Sequence, residues 1–203
     1  MSMKWTTDDI KACNTMAQAS VDGMRSAALM AVLSIQQSWH TVPEAMVDVT
    51  ENGSSSRFLW GFKRDTYLHL IQGRNMDHLY AQTIVETDPV RLLDLWTTVP
   101  GLGLAKAGFV CQLTRGIIGC VDGHNAAAYD VPPSALVFPK GRMTTKAQAI
   151  KLRNYVTLCA DIGGSEYMWQ QWCVLMAAKY PETYHSAKAV SEQHVNIMEA
   201  ATI

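Results

Sequence analysis

Two helical patterns meet across five residues, "VPGLG", Val99–Gly103, and that junction limits the fold more than any other stretch. Upstream, Asp88 is placed to cap a helix and Pro89 to occupy its first position, ahead of "VRLLDLW". Downstream, Leu104–Leu113 repeats apolar residues at helical spacing. So short a connection makes the two helices a hairpin. Gly101 and Gly103 supply backbone angles that other residues avoid, and they leave main-chain N–H groups uncovered. Amides at the start of a helix favour an anion, and a DNA phosphate is the obvious guest. The same residues also serve as a plain turn between packed helices, and the residues alone leave both readings open.

The rest of the chain is expected to be helical over Val21–Trp39, Asp65–Leu70, Met76–Val85, Thr144–Ala160, Ser165–Tyr180 and Ser186–Ala200, with Gly163–Gly164 as a break. "HTVPEAMVDVT" followed by "ENGSSSR" reads as one long irregular, mobile loop, and "VPPSALVFPKG" as another irregular segment. Alternating strand patterns are scarce and no internal repeat is visible, so an all-α fold is expected.

Hydrophobic residues form 48% of the 203 and charged ones 17%, a balance that fills a core and excludes disorder. The longest wholly apolar run, Ala27–Leu33, is far short of the roughly 20 residues a membrane span needs. The first residues carry Asp8 and Asp9 without an apolar run and do not read as a signal peptide. Five cysteines, with no CxxC pair, suit a reduced intracellular protein and offer no iron–sulfur ligand set. A formal charge of -1 argues against a strong electrostatic grip on nucleic acid, although main-chain amides need no net charge to hold a phosphate.

About twenty residues beyond the hairpin, Asp122 precedes "GHNAAAY". Its position suits an N-cap, and His124 and Asn125 follow in the first turn. Taken together, "VPGLGLAKAGF" and "GCVDGHNAAAY" resemble the helix-hairpin-helix DNA glycosylase superfamily. Val99, Pro100, Gly101 and Gly103 match the hairpin pattern. Val121, Asp122 and His124 match the catalytic one, with Gly123 where threonine is usual. The match covers about thirty residues. It implies a two-lobed, all-α glycosylase-like body without an iron–sulfur cluster. One helical lobe would cover about 20–130, with the hairpin at 98–106; the other would combine the N-terminus with 144–203.

The resemblance implies that Pro100, Gly101, Leu102, Gly103 and Lys106 contact DNA, and that Asp122, His124 and Asn125 serve a nucleotide turned out of the stack. It allows a monovalent cation at the hairpin and implies no other cofactor. In the lyase branch a lysine stands two residues beyond the second hairpin glycine. Here Ala105 holds that place, and Lys106, about 100° further round the helix, is expected to point elsewhere, to a phosphate or to solvent.

"GLGLAKAGFVCQL", "GCVDGHN", "GGSEYMWQQWC" and "VSEQH" resemble a bacteriophage branch of the superfamily, the alpha-glutamyl/putrescinyl thymine pyrophosphorylase or amino acid:DNA transferase group. That branch implies double-stranded DNA carrying an activated 5-hydroxymethyluracil, a small amine donor, no membrane partner, and the cytoplasm of an infected bacterial cell. Base excision by a monofunctional glycosylase, and a non-catalytic DNA-binding module, remain as alternatives.

Met168, Trp172, Leu175 and Met176 share a helical face that reads as core, whereas Tyr167, Trp169 and Gln170 are candidates to border a cleft. Two basic stretches are candidate DNA flanks: one with Lys140, Arg142, Lys146, Lys151 and Arg153, the other with Lys63, Arg64 and Arg74. Phe58, Trp60 and Tyr67, near the second, either pack the loop down or stack on a base.

Overall fold

The computed structural model describes residues 7–37, 41–139 and 143–179, and these form helices joined by short connections with no strand among them. In chain order they are α1 (Thr7–Ala19), α2 (Val21–Leu33), α3 (Val42–Asn52), a 3-10 turn (Gly53–Ser55), α4 (Phe62–Ile71), α5 (Gly73–Val85), α6 (Pro89–Thr97), α7 (Leu104–Arg115), α8 (Gly123–Ala128), α9 (Pro133–Leu136), α10 (Thr145–Ile162) and α11 (Gly164–Lys179). The expected helix over Ser186–Ala200 lies outside the described residues.

α2 is the central element. Ser20 caps it by accepting from the Gly23 amide at 3.0 Å. From Ala27 to Leu33 every residue is buried, so the helix is apolar all round and must be enclosed on every side. α1, α3, α4, α5 and α7 all pack on it. Gly23 permits the closest of these approaches, since a Cβ there would lie 2.2 Å from Met16 O. α1 also serves α7: Asn14 Nδ2 donates to Gln112 O at 2.8 Å and Gln18 Nε2 to Thr114 O at 2.9 Å. These bonds tie α1 to carbonyls in the last turns of α7, one of which, Gln112 O, also accepts from the Gly116 amide.

Three of the expected readings are corrected. α2 stops at Leu33, where Ser34 caps it and Ile35–Gln37 turn away, so it does not continue to Trp39. The long loop before Arg57 is largely helix α3. Pro43 sits within its first two positions, and Val42, Ala45, Met46 and Val49 bury one face. The Ser-rich patch is anchored too: Ser56 Oγ donates to Asp48, and Arg57 pairs with Glu44. "VPPSALV" likewise contains the short helix α9.

The capping and turn expectations fare better. Asp88 Oδ1 accepts from the Val90 amide at 2.8 Å, with Pro89 opening α6. Gly163, at φ +125°, separates α10 from α11. α6 and α7 pack against each other across the hairpin, and Cys111 Sγ of α7 lies 3.8 Å from Leu92 O of α6.

Candidate functional site

The turn at Val99–Leu102 is closed by the Leu102 amide donating to Val99 O at 3.1 Å. Pro100 takes its second position and Gly101, at φ +82°, its third, the place where this turn type requires a left-handed residue. α4 holds the turn from beneath. Thr66 Oγ1 donates to Pro100 O at 2.6 Å, and the Phe62 ring lies against Gly101. Pro100, Gly101 and Gly103 are exposed, but the Leu102 side chain is buried in the core, so only its backbone is near the surface. Gly103 caps α7 through its carbonyl, which accepts from the Lys106 and Ala107 amides at 3.1 and 2.9 Å. The amides of Gly103, Leu104 and Ala105 donate to nothing among the described residues. The positive end of α7 therefore opens at this corner.

The segment Gly119–Val121 is fixed against three helices. Cys120 Sγ donates to Ala105 O in the first turn of α7 at 3.5 Å. The Tyr155 hydroxyl of α10 accepts from the Val121 amide at 3.0 Å and donates to Gly119 O at 3.2 Å, while Cys159 Sγ donates to the same carbonyl at 3.4 Å. Two close approaches depend on glycine: a Cβ at Gly108 would lie 2.5 Å from Tyr155 Oη, and one at Gly119 would lie 2.3 Å from Met168 Sδ of α11. Burial pushes the thiols of Cys111, Cys120 and Cys159 up, the last to about 12, so all three stay protonated and inert.

Asp122 emerges from this clamp at the start of α8. Its Oδ1 accepts from the amides of His124 and Asn125 at 3.0 and 2.9 Å, an N-cap as the sequence suggested. Capping occupies one oxygen and leaves Oδ2 without a partner among the described residues. The half-buried carboxylate borders a cavity of about 720 Å³, a volume in the range of small-molecule sites. His124 is exposed at its rim, and Asn125, 2% exposed, donates from Nδ2 to Cys120 O at 2.6 Å.

The opposite wall comes from α7. Ala105, Lys106, Phe109 and Gln112 recur at helical spacing and all face the cavity. The expected direction of Lys106 is thereby corrected. It shares the cavity with Asp122, its Nζ donating to Ser34 Oγ at 3.1 Å and lying 5.3 Å from the Phe109 ring centre. A turn of 100° does not remove so long a side chain from a face of this width. Behind it stands Lys63, fully buried, donating to Leu33 O at 3.2 Å beneath the Trp60 ring. Burial, and then Lys106, lower the Lys63 pKa to about 8. Both ammonium groups meet the negative end of α2.

α11 completes the cavity with Met168, Trp169 and Trp172. Of the three residues expected to border a cleft, Trp169 does so; Tyr167 and Gln170 are exposed on other faces. Met168 and Trp172 are buried as expected, but Leu175 is exposed, and the Met176 side chain lies outside the described residues. Lys63 is no DNA flank, being buried, whereas Arg64 and Arg74 are exposed. Lys146 and Arg153 are exposed, Lys151 is tied to Ser134 O, and Lys140 and Arg142 lie outside the described residues. Phe58 and Tyr67 pack on the core; Trp60, 41% exposed, stands out beside Phe62.

Phe109 and Gln112 were not singled out as site residues, and Lys106 was expected on DNA or in solvent and not in the cavity. Their common helical face was the one signal that could have found them. Among the described residues no group of three or more His, Cys, Asp and Glu side chains gathers, and no helix is long and apolar enough to cross a membrane. No family model, curated protein or solved structure matches the chain.

Proposed function

We propose that the protein modifies a base in DNA: the exposed turn at Pro100–Gly103 holds the phosphate backbone, and a nucleotide turned out of the duplex enters the cavity beside Asp122. One observation carries this reading. The first turn of α7 both follows the hairpin and lines the cavity, through Ala105 and Lys106, which supports placing the phosphate contact and the acid side by side. Turning out a base costs a few kcal/mol, which the contacts in the cavity must offset.

The proposed reaction is transfer of an amine, from an amino acid or a polyamine, to 5-hydroxymethyluracil carried as its pyrophosphate ester in phage DNA within the infected cell. A C–N bond forms at the exocyclic carbon as the C–O bond to pyrophosphate breaks. Asp122 Oδ2, free of the cap, accepts the proton that the amine loses. The Lys106 ammonium across the cavity meets the charge that gathers on the departing pyrophosphate. Nucleoside mass spectrometry of treated DNA tests this. A heavier thymidine analogue is expected with the unaltered protein, and at least a ~100-fold lower yield with Asp122→Asn. Unchanged modification by that variant would refute the role of the acid.

Base excision by a monofunctional glycosylase is the second reading, in which Asp122, its Oδ2 free of the cap beside the cavity, activates a water. Excision would give free base and an abasic site. A monofunctional enzyme leaves no protein–DNA adduct for borohydride to trap, so an adduct lost in Lys106→Met would contradict this reading.

A further inference from the structure

The wall of the cavity carries polar groups that the fold does not use. Asn125 Oδ1 and the Trp169 indole Nε1 are both buried without a hydrogen-bond partner. They are two of five such side-chain atoms among the described residues, and both belong to residues of the cavity wall. A buried polar group without a partner costs about 1–3 kcal/mol, so a protein that retains two at one site is disposed to satisfy them with a ligand. Asn125 cannot relieve its oxygen by turning its amide over, because Nδ2 is committed to Cys120 O at 2.6 Å. Gln112, 2% exposed, is held in the same way, with Nε2 donating to Ser165 O at 2.9 Å, which leaves its carbonyl oxygen as a further acceptor in the wall. The setting is flat and aromatic. Phe109 and Trp169 stack at 6.5 Å between ring centres, and Trp169 and Trp172 at 5.4 Å.

We infer that this wall recognises a planar heterocycle with a ring N–H beside a hydrogen-bond acceptor on one edge, the N–H donating to Asn125 Oδ1 and the acceptor receiving from Trp169 Nε1. This rests on the reading of the cavity as the place of an extruded base, and it assigns to Asn125 and Trp169 the choice of base. Neither polar atom is open to solvent, so the Trp169 indole turns on ligand entry while the Asn125 amide stays held by Cys120 O. Asp122 and Lys106 contribute the charged groups, and the recognition wall is neutral, as the uncharged edge of a nucleobase requires.

Calorimetric titration with thymidine and with N3-methylthymidine tests this. The two offer nearly the same ring, but the methyl group removes the N–H. Thymidine is expected to bind about tenfold more tightly. That preference should fall to near unity in Asn125→Ala, and Trp169→Phe, which keeps an aromatic ring and loses the donor, should weaken thymidine several-fold. Equal binding of the two nucleosides by the unaltered protein overturns the inference, as does a preference that persists in both variants. Duplex DNA binding by the same preparations is read separately in a gel shift. Its absence rejects the DNA reading, while a thymidine preference without it leaves the recognition wall standing.

Discussion

Replacing Gly101 and Gly103 separately by alanine should divide the two roles of the hairpin. At Gly101 the backbone is left-handed, φ +82°, which costs an alanine about 1–2 kcal/mol. Its Cβ would lie 2.5 Å from Thr66 Oγ1 and 2.7 Å from Phe62 Cδ2. Phe62 is 38% exposed and can swing aside, but Thr66 is fully buried and its hydroxyl holds Pro100 O. Displacing it loses a hydrogen bond worth about 1 kcal/mol. Gly101→Ala should therefore destabilise the fold by about 2–4 kcal/mol, or about 4–16 °C in melting temperature for a domain of this size. At Gly103 the backbone is ordinary, φ -82°, and a methyl group there would meet no atom within 4 Å. Gly103→Ala should cost about 0.5 kcal/mol as a poorer cap. The methyl would nevertheless stand before the free amides of α7, so duplex affinity should fall about tenfold while stability holds. Urea unfolding and a gel shift on both variants provide the check. A stable Gly101→Ala protein would refute the packing account, and unchanged duplex affinity in Gly103→Ala would refute the phosphate-binding corner.

Tyr155→Phe removes the hydroxyl that joins Val121 N to Gly119 O, and should cost about 2 kcal/mol in urea unfolding while lowering activity by loosening Asp122. Lys63 gives a pH signature. Its pKa of about 8 lies below the ordinary 10.5, so between those values the unfolded chain holds more protons and stability rises with pH. The rise should be on the order of 2 kcal/mol and absent from Lys63→Met, as unfolding curves at pH 7.5 and 10 would show. Borohydride treatment of the protein with its DNA should trap no adduct if the reaction is amine transfer.

Local chemistry was legible in the sequence and long-range assembly was not. The caps at Asp88 and Asp122, the left-handed Gly101 and the break at Gly163 each follow from a few adjacent residues, and each stands in the structure. α3 was hidden because Pro43 and the polar "ENGSSS" resemble loop chemistry, whereas burial of Val42, Ala45, Met46 and Val49 decides the matter through tertiary contact. The N-cap role of Asp122 was legible from its neighbours, but the cavity it borders is assembled from α7, α8, α11 and the end of α2, with Phe109 and Trp169 sixty residues apart. Lys63 read as a surface cation because nothing local reveals that Leu33 O and the Trp60 ring enclose it.

The most direct measurement is photocrosslinking from a duplex with 5-iodouracil at the target position, followed by peptide mapping. If an extruded base enters the cavity beside Asp122, the crosslinks fall on Trp169, Trp172 or Phe109. Crosslinks confined to the exposed Trp60 and its neighbours, with none in the cavity, would contradict the account.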